Sequence, residues 1–164
     1  MTVLTVGRGA SSDLRWSLDD LSFPDFRALE GVDAVVHLAG ENVSRSFCPP
    51  NVTDRGQVAS GAGPLAFLGR WSPAKKQAIL ESRVNGTRLI VDSIQRLQTK
   101  PKVFVSASGV GFYGFEGDEL RDESSQVGDG FLAYVCQQWE GEALKAERVS
   151  GMRTVVARIA VVLR

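Results

Sequence analysis

Residues 33–39 read Asp-Ala-Val-Val-His-Leu-Ala, an almost wholly apolar run bounded by Gly31 and Gly40. A strand covered on both faces reads this way, because neither face meets water and no polar alternation is needed. Two later runs share that character. Lys102-Val-Phe-Val-Ser106 flows into the small-residue turn Ala107-Ser108-Gly109, and Arg153-Thr-Val-Val-Ala-Arg-Ile-Ala-Val-Val-Leu163 is apolar almost throughout. Between these strands the spacing changes to that of helices. Ser72 and Pro73 suit an N-cap and first helical residue. Leu80, Val84, Thr87, Val91 and Ile94 then recur at alternating steps of four and three, which predicts a helix over 72–97 with one buried face. Gly86 inside it costs up to ~1 kcal/mol relative to Ala, so its presence points to close packing against a strand or a ligand. A second helix is expected over 131–148, with Leu132, Val135, Trp139 and Ala143 on one face. The order strand, helix, strand, helix, strand predicts an α/β fold, a parallel sheet covered by helices.

The flanking segments are less regular. Thr2–Val6 is a short β-rich run ending at Gly7-Arg8-Gly9, followed by a polar stretch and a short helix or loop over 23–29. Gly114–Gly130 is acidic and Gly-rich, as a surface loop is. The stretch 44–69 contains Pro49-Pro50 with several Gly and Ser, and separates a strand from its helix by nearly thirty residues. Loops beyond ~15 residues without structure are uncommon inside a domain, so an irregular or disordered excursion is expected there.

Composition bounds the function. The 164 residues suit a single domain; 43% are hydrophobic and 23% charged, ordinary for a globular chain. Lys plus Arg and Asp plus Glu number 19 each, which offers no basic surplus for nucleic acid or an anionic membrane. No apolar run reaches membrane-spanning length. The chain starts on a strand-like segment without a recognisable signal or transit peptide, and a soluble protein is expected. Plastid, mitochondrial and cytoplasmic locations all stay open, as does homo-oligomerisation. Cys48 and Cys136 match no metal or redox spacing and read as plain thiols, so no metal site is expected. The sequons Asn42-Val-Ser44 and Asn51-Val-Thr53 read as accidental, since nothing else suggests secretion.

Ligands of a doubly wound sheet bind beyond the carboxyl ends of its strands. Gly7–Arg8, Ala39–Asn42, Ser106–Tyr113 and the end of the last strand lie there, rich in small or polar residues that let a backbone approach a ligand closely. These residues also carry a resemblance. Asp33–Gly40, Arg83-Val-Asn-Gly-Thr87 and Val105-Ser-Ala-Ser-Gly-Val-Gly-Phe-Tyr-Gly114 are similar to the extended short-chain dehydrogenase/reductases. His37-Leu-Ala-Gly-Glu-Asn42, Gly69-Arg-Trp71, Glu81-Ser-Arg83 and Trp139-Glu140 resemble its atypical epimerase-family branch. The resemblance implies a Rossmann-like doubly wound sheet that binds NAD or NADP. It also implies that the first βα unit, with its Gly-rich phosphate turn, and the C-terminal substrate portion are lacking, leaving residues 1–164 as a single incomplete domain.

The same resemblance assigns roles. Leu38, Ala39, Gly40, Arg83, Ser106 and Ala107 would line the cofactor, the alternatives being strand-end packing for 38–40 and an ion pair with Glu81 or another nearby carboxylate for Arg83. Arg8 either pairs with a 2′-phosphate, which would favour NADP, or is a solvated loop charge. Most of the superfamily uses a Tyr-x-x-x-Lys pair for proton transfer. Counting back from Glu140, those positions hold Leu132 and Cys136, neither able to do that work. Ser108 and Tyr113 are then the catalytic candidates, with a buried structural tyrosine as the alternative for Tyr113. His37, the only histidine, alternates with core positions and reads as structural. The expected function is an NAD(P)(H)-dependent oxidoreductase or sugar-epimerase-like activity on an unknown small molecule. The rival is a non-catalytic scaffold or an inactive truncated product.

Overall fold

Hydrophobic runs and capping signals place the elements of the computed structural model, which describes residues 2–16, 26–41, 43, 72–115, 117–148 and 151–160. The expected excursion over 44–69, Asn42, Cys48, the Gly69-Arg-Trp71 motif and the end of the last expected strand lie outside the described residues. The strands are β1 (Val6–Gly7), β2 (Leu14–Arg15), β3 (Ala34–His37), β4 (Val103–Gly109) and β5 (Arg153–Ile159). The helices are α1 (Pro73–Gln95) and α2 (Phe131–Leu144), the latter continued by a 3-10 turn over Lys145–Arg148. β1 and β2 form a two-stranded parallel sheet, and β3, β4 and β5 a three-stranded parallel sheet in that order. The α/β class and the parallel arrangement are those expected from the run at 33–39 and its successors.

Register sorts the side chains into two faces. Val35 sits opposite Phe104, which sits opposite Thr154, and His37 opposite Ser106 and Val156. Alternation along a strand then puts Val35, His37, Phe104, Ser106, Ser108, Val156 and Arg158 on one side. That side meets both helices. Phe104, wholly buried, joins Ile90, Val91 and Ile94 of α1, Ala143 of α2, Ala146, Met152 and Trp16 in one cluster, with Val35 and Val156 against it. Truncating Phe104 to Ala would cost about 3–5 kcal/mol. The opposite side carries Ala34 and Val36, both exposed.

Local chemistry explains most boundaries. Ser72 caps α1, its Oγ accepting from the Lys75 N–H at 3.2 Å, with Pro73 at the first helical position as expected. The buried face of α1 is Ile79, Gly86, Thr87, Ile90, Val91, Ser93 and Ile94. Leu80 and Val84, expected on it, are only half-buried, because Ile79 and Ile90 centre the stripe. On α2 Leu132, expected on the buried face, is half-buried, and Ala133, Val135, Cys136, Trp139, Glu140, Glu142 and Ala143 are buried. β2 was not foreseen, since Leu14 and Arg15 lie in a polar stretch. Asp13 makes it: its carboxylate accepts from Thr5 N at 2.8 Å and Thr5 Oγ1 at 2.6 Å, drawing β2 alongside β1. Val6 of β1 packs on the main cluster, so the small sheet shares its core.

Candidate functional site

Two corners lie beyond the carboxyl ends of β3, β4 and β5. The first is where β3 meets α1. Leu38 is 67% exposed, while Ala39 and Gly40 are half-buried. Glu41 is tied to α1 twice, its N–H donating to Ser82 Oγ at 3.0 Å and its carboxylate meeting Lys75 Nζ at 2.6 Å. Arg83 reaches back to the same turn, its Nη1 donating to the carbonyls of Glu41 at 3.0 Å and Ile79 at 3.1 Å. Its guanidinium lies 5.1 Å from the Trp139 ring. A Cβ on residue 40 would stand 3.1 Å from Arg83 Cζ, so the guanidinium packs directly on the strand end and would shift by a few tenths of an ångström to admit one. Burial pulls the Arg83 pKa down, partly offset by Cys136 and Glu41. Arg83 makes no salt bridge among the described residues. The alternative partner, Glu81, instead accepts from Gln77 Nε2 at 2.8 Å.

The second corner joins β4, β5, α2 and the 3-10 turn Val110–Tyr113 that follows β4. Ser108 Oγ donates to Glu140 Oε1 at 2.6 Å. Arg158 grips the same carboxylate with two bonds, Nε to Oε1 at 3.0 Å and Nη2 to Oε2 at 2.9 Å. Its Nη1 donates to Tyr113 Oη at 2.8 Å, and its Cζ lies 3.5 Å from the centre of the Phe112 ring. A fork-on-carboxylate pair of this geometry is among the stronger polar contacts, and the Glu140 bonds hold Arg158 firmly protonated. Tyr113, Glu123, Val156, Ala157 and Arg158 line an open cleft of about 350 Å³.

The candidate residues divide accordingly. Leu38, Ala39, Gly40 and Arg83 come together at the first corner. Ser108 and Tyr113 belong to one network at the second, but only Tyr113 lines the cleft; Ser108 is 5% exposed and turned to Glu140. Ser106 is wholly buried, its hydroxyl donating to the Ala107 carbonyl at 3.2 Å, and Ala107 is buried beside it. Arg8 is exposed just after β1. His37 is structural: Nε2 lies 3.0 Å from Thr87 Oγ1 and the ring stacks on Phe104 with Trp139 edge-on. At the positions where the resemblance would put the usual Tyr-Lys pair, Leu132 packs against Gly111, where a Cβ would meet its own at 3.2 Å. Cys136 Sγ lies 3.6 Å from the Gly109 carbonyl, and burial pushes that thiol's pKa up.

Glu140 and Arg158 were missed as functional candidates. Each carried a signal: a carboxylate among Ala133, Cys136 and Ala143 on a helix face, and an Arg in the interior of an apolar strand. Charges in such places need a partner, and each supplies the other's.

Among the described residues no helix is long and apolar enough to cross a membrane, and no cluster suits a metal ion. No family model matches the sequence. An epimerase family protein of Mycobacterium leprae is 33% identical over 153 residues, 93% of this chain and 41% of that protein. A nucleoside-diphosphate sugar epimerase of Corynebacterium glutamicum superposes with a TM-score of 0.62 at 31% identity, covering 92% of this chain and 26% of that one. Human epimerase family protein SDR39U1 (isoform 2), solved with NADPH, gives 0.61 at 28% identity over 93% of this chain and 43% of its own. The chain thus spans less than half the length of these relatives. Over the residues it spans, the chain is a homologue of the epimerase family proteins of the short-chain dehydrogenase/reductase superfamily, with their parallel Rossmann-like sheet.

Proposed function

We propose that this chain supplies part of a nicotinamide-dinucleotide site for an oxidoreductase or epimerase-like reaction on a small molecule. The observation that carries the reading is the first corner, where a half-buried guanidinium packs against Gly40 and has no salt-bridge partner among the described residues. Such a group, fixed by two carbonyls and an aromatic face, suits a phosphate or ribose oxygen. Leu38 and Ala39 would flank the cofactor, Ser106 and Ala107 would form a close-packed floor, and Arg8 would meet the adenosine end. The NADPH bound by the human relative supports the reading. A reduced nicotinamide supplies hydride when bound, and the residue that would supply the accompanying proton is Tyr113, with its hydroxyl at the cleft. Ser108 would act from behind, as an anchor of the Glu140 carboxylate.

Titration with NADPH and NADH, read by thermal melting, tests this. Ligand at about 100 times its Kd stabilises by about 2.7 kcal/mol, or roughly 5–10 °C for a chain of this size. Arg83→Lys, which keeps the charge but loses the planar fork, is expected to weaken NADPH about tenfold. A cooperative melt that neither nucleotide moves would overturn the proposal.

A further inference from the structure

Beyond holding two elements together, the Glu140–Arg158 pair decides which way a hydroxyl points. A phenol oxygen donates once. Arg158 Nη1 is a donor with no lone pair, so at 2.8 Å Tyr113 Oη can only accept from it. The phenolic proton must therefore point elsewhere, and Tyr113 and Arg158 both line the 350 Å³ cleft. Arg158 itself has little freedom. Glu140 takes its Nε and Nη2, and Phe112 lies under the guanidinium plane. Glu140 is fixed in turn by Ser108 at 2.6 Å from the wall of β4. The chain of contacts runs from a buried serine through a carboxylate and a guanidinium to one phenol oxygen, each link having a single donor direction.

We propose that Arg158, clamped by Glu140, is a positioning residue that holds Tyr113 Oη as an acceptor and so presents the phenolic proton to the cleft. This rests on the reading above that Tyr113 serves the reaction as its proton donor. The ligand atom it would meet is a neutral acceptor, a carbonyl or hydroxyl oxygen. Arg158 is already charge-balanced by Glu140, and its Nη1 also faces the Glu123 backbone carbonyl at 3.4 Å, so an anionic group gains little there.

The test uses the full chain carrying tyrosine labelled with carbon-13 at Cζ, the atom bonded to the hydroxyl. Only two tyrosines are present, Tyr113 and Tyr134, and Tyr113→Phe assigns the two lines. In Arg158→Lys, and to a smaller degree in Glu140→Gln, the Tyr113 line is expected to move while that of Tyr134 holds. The lone His37 imidazole serves as a check that the core is intact. A Tyr113 line unmoved in both folded variants would overturn the proposal. Glu140→Gln keeps the side-chain shape and so remains informative should Arg158→Lys fail to fold. NADPH titration of the unmodified chain runs in parallel. Its failure would remove the cofactor reading and leave the hydroxyl orientation decided by the Cζ lines alone.

Discussion

At the scale of the residue, His37 and Arg158 show opposite ways of burying a titratable group. His37 is 3% exposed between Phe104 and Trp139, and burial pushes its pKa from 6.5 down to about 4. The unfolded chain takes up this proton near pH 6.5 and the folded chain only near pH 4. Between those values the unfolded state holds more protons, so stability from this group is complete above pH 6.5 and is lost as pH falls towards 4. The loss amounts to up to about 3 kcal/mol. Urea melts at pH 7 and pH 4.5 should therefore differ by more in the wild type than in His37→Asn. Equal differences would mean that folding leaves the imidazole's pKa unshifted. His37 was readable from the sequence as structural, because it alternates with apolar neighbours along one strand. Arg158 stood out as a charge inside an apolar run, but its pairing was not readable, because Glu140 lies 18 residues away on another element and nothing local joins them.

At the scale of the element, the turn that carries Tyr113 is held by the far end of the acidic loop. Gly128 N donates to the Phe112 carbonyl at 2.9 Å, and a Cβ on residue 128 would stand 2.1 Å from the Tyr113 carbonyl oxygen. Backbone cannot give way there as a side chain would. Gly128→Ala should destabilise the chain by about 1–3 kcal/mol or more, and should move the Tyr113 Cζ line as well. Gly117→Ala is the control: it lies in the same loop at φ +78° with open space around it, so only backbone strain of roughly 1 kcal/mol applies. Matching losses in denaturant melts of the two variants would show that residue 128 does not pin the turn. The long elements were legible because capping and periodicity are local. Ser72 and Pro73 open α1 where expected, and β4 extends three residues beyond Ser106. β2 was illegible for the converse reason, since a two-residue strand is made by Asp13 reaching Thr5, a contact with no periodic trace.

At the scale of the whole molecule, both described helices cover the same face of the three-stranded sheet, and β3 is its edge among the described residues. Ala34, Val36 and Leu38 project from the other face, Val36 being 61% exposed and Leu38 67%. A bare strand edge beside exposed apolar side chains is a template for pairing between chains. Lysine at the outward position should interrupt that pairing without touching the core. Val36→Lys is therefore expected to reduce concentration-dependent association, measured by sedimentation, while changing stability by no more than ~0.5 kcal/mol. Val35→Lys, one residue away, points into the cluster of Phe104 and Ile90 and should unfold the chain, since a one-residue step along a strand reverses its face. If Val36→Lys is instead as damaging as Val35→Lys, then something covers the outer face in solution. That same layer would also close over the strand end where Gly40 meets Arg83. NADPH affinity should then fall in Val36→Lys along with stability, whereas an uncovered face predicts an affinity that the substitution leaves alone.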